Sequence, residues 1–362
     1  MKNYEVRITI YDLKVSVFLV LFLMMGLINK SQAQDTIKAS NLEPSQDAEK
    51  FYNSGISNYG SKNYQAAIND FNQAITLKPD FALAFYNRGN AKMDLKDAKG
   101  AIEDFDKAIS LDGHNDNAYF SRAQAKHSSG DKQGADADYT KTIEINGNHA
   151  QAYYYRGGLK FENADYKGAI TDYDKAIMLK SDYAYAYNDR GSAKRQLEDY
   201  AGAIEDYTKA ISTNSELAFA YNNLGSAYRK KGDLKKAIDS YTKAVSIKKD
   251  YYIAYNNRGS AKFDDKDFNG AVNDFTAAIN NKSDYAFAYN NRSAAKFQLK
   301  DYKGAVEDAT SAIKYNDKYA YAYLNRGIAK EMLRDDSACK DWEMAGKLGV
   351  DRGTNYASTC DK

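Results

Sequence analysis

The sequence predicts an all-α solenoid of stacked antiparallel helix pairs, and two observations lead there. A pattern returns every 34 residues, so that Ala150–Tyr183, Ala184–Leu217 and Ala218–Tyr251 align without a gap. A period of this size marks a repeat architecture. Within each period, small and aromatic residues recur at helical spacing, three or four apart. The length of 362 residues could suggest two or three globular domains. The repeat overrides that, and residues 48–350 read as one elongated domain of nine units, the last of them shortened.

Numbering each unit 1 to 34 from Ala48, position 4 is always aromatic, from Phe51 through Tyr187 and Tyr221 to Tyr323. Position 8 is tiny (Gly55, Gly89, Ala123, Gly157, Gly191, Gly225, Gly259, Ser293, Gly327). Position 20 is alanine from Ala67 to Ala305, position 24 is aromatic from Phe71 to Phe275 and lapses at Ala309, and position 27 is small. Positions 4 and 8 lie on one helix, and 20, 24 and 27 on a second. The break falls at positions 15 and 16, where Asn63 and then Asp97 to Asp335 can cap the second helix's free N–H groups. Small residues at 8 and 20 let the two backbones approach, and the aromatics fill the wedge around them.

These coincident positions resemble the tetratricopeptide repeat. The resemblance runs from about Ala48 to about Val350 and implies a right-handed superhelical solenoid acting as a non-enzymatic protein-binding scaffold. Departures exist: the family's proline near position 32 survives only as Pro79, and its aromatic at position 11 only as Tyr228, with lysine in most units. Aligning Ala338 and Trp342 with positions 20 and 24 requires a one-residue deletion in the last unit.

Residues 1–33 do not fit the repeat. Val15–Ile28 is apolar except for Ser16 and Gly26, follows Lys2, Arg7 and Lys14, and precedes Ser31-Gln32-Ala33. That pattern reads as a secretory signal peptide, too short for a typical span of about 20 apolar residues; an uncleaved anchor is the alternative. The mature chain is expected in the periplasm or outside the cell, with no membrane span after cleavage. Residues 34–47 read as a polar linker, with Ser45 as a helix cap.

Position 7 is arginine in seven units (Arg88, Arg122, Arg156, Arg190, Arg258, Arg292, Arg326) and position 23 is aspartate in nearly all; the sixth unit loses both together, with Leu224 and Ser240. The joint loss predicts an ion pair within each unit, such as Arg190 with Asp206, in preference to a row of ligand-binding arginines.

The resemblance further implies that the first helices line a concave groove. Asparagines recur there at position 6 (Asn87, Asn223, Asn257, Asn291, Asn325) and, from the fifth unit on, at position 5 (Asn188, Asn222, Asn256, Asn290), beside Tyr185, Phe219 and Phe287 at position 2 and Phe263 at position 12. Asparagine amides donate to and accept from a backbone without reading its sequence, and aromatic rings supply contact area at low entropy cost. The expectation is an extended polypeptide segment of another protein in that groove. The alternative is that the asparagines are solvated residues copied by duplication. Two other roles stay open: a structural spacer or assembly component of the cell envelope, and a carbohydrate or cell-wall binder. A carboxylate clamp for chaperone tails does not fit, because position 5 carries no lysine.

A formal charge of +2, from 51 basic and 49 acidic residues, gives no nucleic-acid footprint. No catalytic constellation, cofactor motif or metal set is read in the sequence. His114, His127 and His149 are not paired at ligand spacing and read as turn or surface residues, and the glycines at position 19 lack the strand-then-helix context of a phosphate loop. The only cysteines, Cys339 and Cys360, suggest one disulfide in an oxidising compartment; two free thiols would fit a cytoplasmic protein instead. The ending Ala338-Cys339-Lys340-Asp341-Trp342 with a later cysteine resembles the last repeat of envelope tetratricopeptide proteins of the Bacteroidetes type. The bond would tie residues 351–362 back over an open hydrophobic end. Oligomeric state is not read from the sequence.

Overall fold

The computed structural model describes residues 46–360. The expected signal peptide and nearly all of the expected linker, Ser45 included, lie outside them; the linker's last two residues, Gln46 and Asp47, belong to the first helix. The described residues form nineteen helices and no strand. They fall into two compact units, one ending at Ala193 and one beginning at Lys194.

The N-terminal unit runs through α1 (Gln46–Gly60), α2 (Tyr64–Leu77), α3 (Ala82–Asp94), α4 (Ala98–Leu111), α5 (Asp116–Ser128), α6 (Lys132–Ile145), α7 (Ala150–Glu162) and α8 (Tyr166–Leu179) into α9 (Ala184–Gln196). The C-terminal unit continues with α10 (Tyr200–Thr213), α11 (Ala218–Lys230), α12 (Leu234–Ile247), α13 (Tyr252–Asp264), α14 (Phe268–Asn281), α15 (Ala286–Gln298), α16 (Tyr302–Tyr315), α17 (Ala320–Met332), α18 (Ala338–Lys347) and α19 (Asp351–Ala357). Within each unit a repeat's first helix packs on its own second helix, and that second helix on the next first helix. Successive first helices also touch directly, as α1 with α3 and α13 with α15.

The sequence marks both ends of each hairpin. The position-16 aspartates cap as expected: Asp97, Asp131, Asp165, Asp199, Asp267 and Asp301 each accept the backbone N–H three residues on, at 2.9 Å. Asn63 makes no such bond, and Asp335, also expected to cap, instead accepts from Ser337 N two residues on, leaving α18 without a side-chain cap. Position 15 turns the chain through the left-handed region, with glycine at Gly130 and Gly232 but Lys62, Lys96, Ala164, Glu198, Lys266, Lys300 and Arg334 elsewhere. Those seven accept a conformation that opposes a Cβ.

Between the two helices of a repeat, the glycine at position 8 faces the ring at position 24. A Cβ on Gly225 would stand 2.8 Å from the Tyr241 ring, and one on Gly259 2.8 Å from Phe275. The eighth repeat inverts the sizes: Ser293 replaces glycine, Ala309 replaces the ring, and Ser293 Oγ donates to the Ala305 carbonyl at 2.7 Å. The position-24 rings, among them Phe71, Phe105, Tyr207, Tyr241 and Phe275, are fully buried. The position-4 aromatics are mostly half-buried, Tyr187 and Tyr221 among them, and so carry less of the core than the sequence suggested.

The C-terminal end bears out two expectations. Arg326 pairs with Asp341 fifteen residues on, where every other such pair is sixteen apart, so one residue is missing before Ala338. Cys339 and Cys360 are bonded. The expected tail is in part a helix, α19, which lays Gly353 against the Ala345 side chain and the Tyr356 ring 5.2 Å from that of Trp342. It covers an apolar cluster of Leu324, Ile328, Ala338, Trp342 and Ala345.

Candidate functional site

The strongest recurring polar feature is a forked ion cluster found in most repeats. Arg258 Nε and Nη2 grip the two oxygens of Asp274 at 2.9 and 2.6 Å, and Lys262 Nζ reaches Oδ2 at 2.8 Å. The same geometry joins Arg292 and Lys296 to Asp308, and Arg88 and Lys92 to Asp104. The expected arginine–aspartate pair is thus present. The lysine at position 11, read in the sequence only as a departure from the family, is its third member. The sixth repeat replaces all three with Leu224, Tyr228 and Ser240; Leu224 and Tyr228 join an apolar cluster with Ala203 and Tyr207. The first repeat substitutes neutral donors, Ser54 Oγ and Asn58 Nδ2, on Asp70 at 2.8 and 2.7 Å.

Each arginine also ties its repeat to the one before. Its remaining nitrogen reaches position 25 of the preceding repeat: Asn72 from Arg88, Thr242 from Arg258, Thr276 from Arg292. Its face lies over the position-4 ring, 5.2 Å from Phe85 for Arg88 and 5.5 Å from Tyr255 for Arg258. Bidentate carboxylate pairing plus ring stacking is what a planar guanidinium supplies and an ammonium does not. These contacts hold repeats together.

The asparagines are placed differently from the expectation. Asn222, Asn223, Asn256, Asn257, Asn290, Asn291 and Asn325 are each at most 4 % exposed, and Asn87 is buried as well. Asn257 Nδ2 donates to Asn222 Oδ1 at 3.0 Å, Asn291 to Asn256 at 3.0 Å, and Asn325 to Asn290 at 2.9 Å. In the N-terminal unit Asn87 donates to the Tyr52 hydroxyl at 2.9 Å. Every one of these bonds joins position 5 of one repeat to position 6 of the next, because successive first helices lie in contact and a polar group buried there requires a partner. The amides that were expected to meet a peptide backbone, or else to be solvated, give one group to a bond between repeats, while Asn222 Nδ2, Asn256 Nδ2 and Asn257 Oδ1 are buried without a hydrogen-bond partner among the described residues.

The aromatic candidates divide. Tyr185, Phe219 and Phe287 at position 2 are half-buried, as is Tyr321, and they edge the buried asparagine strip. Phe287 also packs its ring 5.0 Å from Tyr319, and Phe263 at position 12, half-buried too, packs its ring 5.2 Å from Phe268 across the turn of its own repeat. Ser226 and Ser260 at position 9 are buried and donate to the carbonyls of Asn222 and Asn256.

Among the titratable groups of the N-terminal unit that depart from ordinary values are an aspartate and a histidine. Asp189 replaces asparagine at position 6; it accepts from the Tyr154 hydroxyl at 2.7 Å and from Asn188 Nδ2 at 2.9 Å. Burial pushes its carboxyl up to about 6 against the pull of those two bonds. His149 caps α7 by accepting from Ala152 N at 3.1 Å and sets its ring, tilted, 4.6 Å from that of Phe120, and burial lowers its pKa. It is a half-buried cap and not a free surface residue, while His127 pairs with Glu162 at 3.5 Å. Among the described residues no group of histidine, cysteine or carboxylate side chains is arranged to hold a metal, and no helix is long and apolar enough to cross a membrane.

Sequence models of the tetratricopeptide repeat match residues 218–251, 82–115 and 116–149, and a model described as TPR repeat matches 57–96 and 191–232. Tetratricopeptide repeats are therefore recognised in the chain. No curated protein matches it. Among solved structures, a tetratricopeptide repeat protein from Parabacteroides merdae is 18 % identical, with a TM-score of 0.53, covering 69 % of this chain and 99 % of that one. The APC/C hetero-tetramer Cut9–Hcn1 is 13 % identical, with a TM-score of 0.55, covering 96 % of this chain and 82 % of that one. Both likenesses support the all-helical paired-helix fold. The MamA protein is 28 % identical over 44 % of this chain and 94 % of that one, but its TM-score is 0.43.

Proposed function

We propose that the chain is a protein-interaction scaffold whose C-terminal unit holds an extended polypeptide against the half-buried rings of its first helices, Phe219, Phe287 and Tyr321. The observation that carries this reading is the division of labour on those helices. The asparagines are buried and bond to one another between repeats, while the position-2 rings beside them keep part of their surface in water. Rings held on packed helices offer contact area with little left to order on binding.

The test is capture of partners by the full chain and by two variants. Phe219→Ala with Phe287→Ala should release the partners at temperatures well below its unfolding midpoint, which falls because the Phe287 ring also packs 5.0 Å from Tyr319. Asn257→Ala should lower the midpoint, because Asn222 Oδ1 loses its donor. Partners retained by the ring variant would favour the spacer role, in which contacts are made elsewhere. Partners lost by the asparagine variant at unchanged stability would return the amides to the groove. Export is part of the same proposal and is supported by the paired cysteines; amino-terminal sequencing of the mature protein tests it, and a start at residue 1 would count against it.

A further inference from the structure

Helix α19 has seven residues, too few to be stable without support. It buries one of them, Gly353, and leaves Asp351, Thr354 and Asn355 in water. It packs on α18 through Gly353 against Ala345 and the Trp342 carbonyl, Thr354 against Gly346, and Tyr356 and Ala357 on the Trp342 cluster. The covalent hold is the Cys339–Cys360 bond, which joins the first turn of α18 to the residue that ends the described chain. Both cysteines are half-buried and stand in the wall of an open cleft that also includes Glu331, Arg334, Asp335 and Trp342. Exchange of a disulfide requires that a thiolate reach one sulfur, and an open cleft supplies that access. The bond also lies in the last repeat, where neighbour-by-neighbour stability confines the effect of a local change.

We propose that the Cys339–Cys360 bond is a redox latch. A dithiol reductant opens it, α19 leaves Trp342, and the remaining repeats stay folded. In the first step a thiolate of the dithiol attacks the Sγ of one cysteine; the S–S bond breaks, a mixed disulfide forms, and the other cysteine leaves as thiolate and takes up a proton. The dithiol's second thiol, on losing its proton, attacks the mixed disulfide and expels the remaining cysteine. The dithiol is oxidised to a disulfide, and the protein gains two electrons and two protons as two thiols. Without the tether, the ratio of docked to undocked α19 falls on the order of a hundredfold. Opening leaves the last repeat with the bare apolar end that another first helix would otherwise cover.

Trp342 is the sole tryptophan, so its emission reads the docking of α19 directly. Dithiothreitol added to the full native chain should release two reactive thiols, shift Trp342 emission to the red and increase its quenching by iodide. The loss in helical circular dichroism should not exceed that of seven residues, and reoxidation should reverse it. The variant Cys339→Ser with Cys360→Ser should show the open signature with or without reductant. Three results overturn the proposal. Thiols that appear only in denaturant make the bond an inert staple. Thiols released with Trp342 still shielded mean that packing alone holds the helix. Loss of helicity throughout the chain on reduction makes the bond a support of the fold.

Discussion

Replacing Asp274 with alanine is the sharpest test of how these repeats are held together. The Asp274 side chain is 5 % exposed and balances two cations, Arg258 and Lys262, whose side chains are 16 and 22 % exposed. Removing one member of a buried pair typically costs 3–5 kcal/mol, because the other charge is left without compensation. Here both cations keep a path to water, and Arg258 retains Thr242 Oγ1 at 3.2 Å. The expected cost is therefore at the low end, about 3 kcal/mol. The sixth repeat supplies the comparison, since it builds the same place from Leu224, Tyr228 and Ser240. Installing that set in the seventh repeat as R258L/K262Y/D274S removes the charges together, and the triple variant should lie within about 1 kcal/mol of the parent. The assay is urea unfolding followed by circular dichroism, with amide exchange in α13 and α14 locating the change. A single variant costing less than about 1 kcal/mol, or a triple variant as weak as the single one, would refute the account of a charge cluster exchangeable as a unit.

The same geometry sets other outcomes. Gly225→Ala should destabilise by about 1–3 kcal/mol through overpacking against Tyr241, and Tyr241→Ala added to it should cost less than in the parent, as the Ser293 and Ala309 arrangement already implies; thermal unfolding of the four forms checks this. Lys266→Gly should stabilise by about 0.5–1 kcal/mol, since its φ of +65° suits glycine; no gain in the unfolding midpoint would count against strain at position 15. Asp189 has a folded pKa of about 6, raised above its unfolded value, so the folded state binds more protons between pH 4 and 6. Its carboxyl should therefore weaken the fold at neutral pH, with stability recovered as pH falls through 6, by an amount of order 1–3 kcal/mol. Asp189→Asn should flatten that part of the pH profile, and an unchanged profile would show that Asp189 does not titrate there.

The period, the glycine against the ring, the aspartate caps and the Arg–Asp pair were all legible because each is a local rule stated many times. The lysine at position 11 reads in the sequence only as a departure from the family, although its loss at Tyr228 accompanies Leu224 and Ser240, the same signal that revealed the pair. The asparagines were misplaced for a different reason. Positions 5 and 6 lie on the first helix, but whether that surface meets solvent or the next first helix depends on packing between repeats, which a one-repeat pattern does not encode. Helix α19 was missed because seven residues carry too little periodicity to register, and the one-residue deletion before Ala338 shifts residues 338–362 out of alignment with the repeat. The larger share of the core at position 24 than at position 4 likewise emerges only when neighbouring repeats are in place.

The contacts between repeats recur at constant separations: 35 residues for the asparagines Asn222 to Asn257, Asn256 to Asn291 and Asn290 to Asn325, and 16 for the arginine's reach to position 25 of the repeat before. Such a rule is indifferent to how many repeats intervene elsewhere. Excising residues 252–285 as a block would bring Asn291 opposite Asn222 and Arg292 opposite Thr242, the same partners in kind. Loss of one residue inside a helix would instead rotate every later side chain by about 100°; the residue missing before Ala338 falls in the turn between α17 and α18. The gene is thus free to lengthen or shorten by whole repeats, while its reading within each repeat is held fixed.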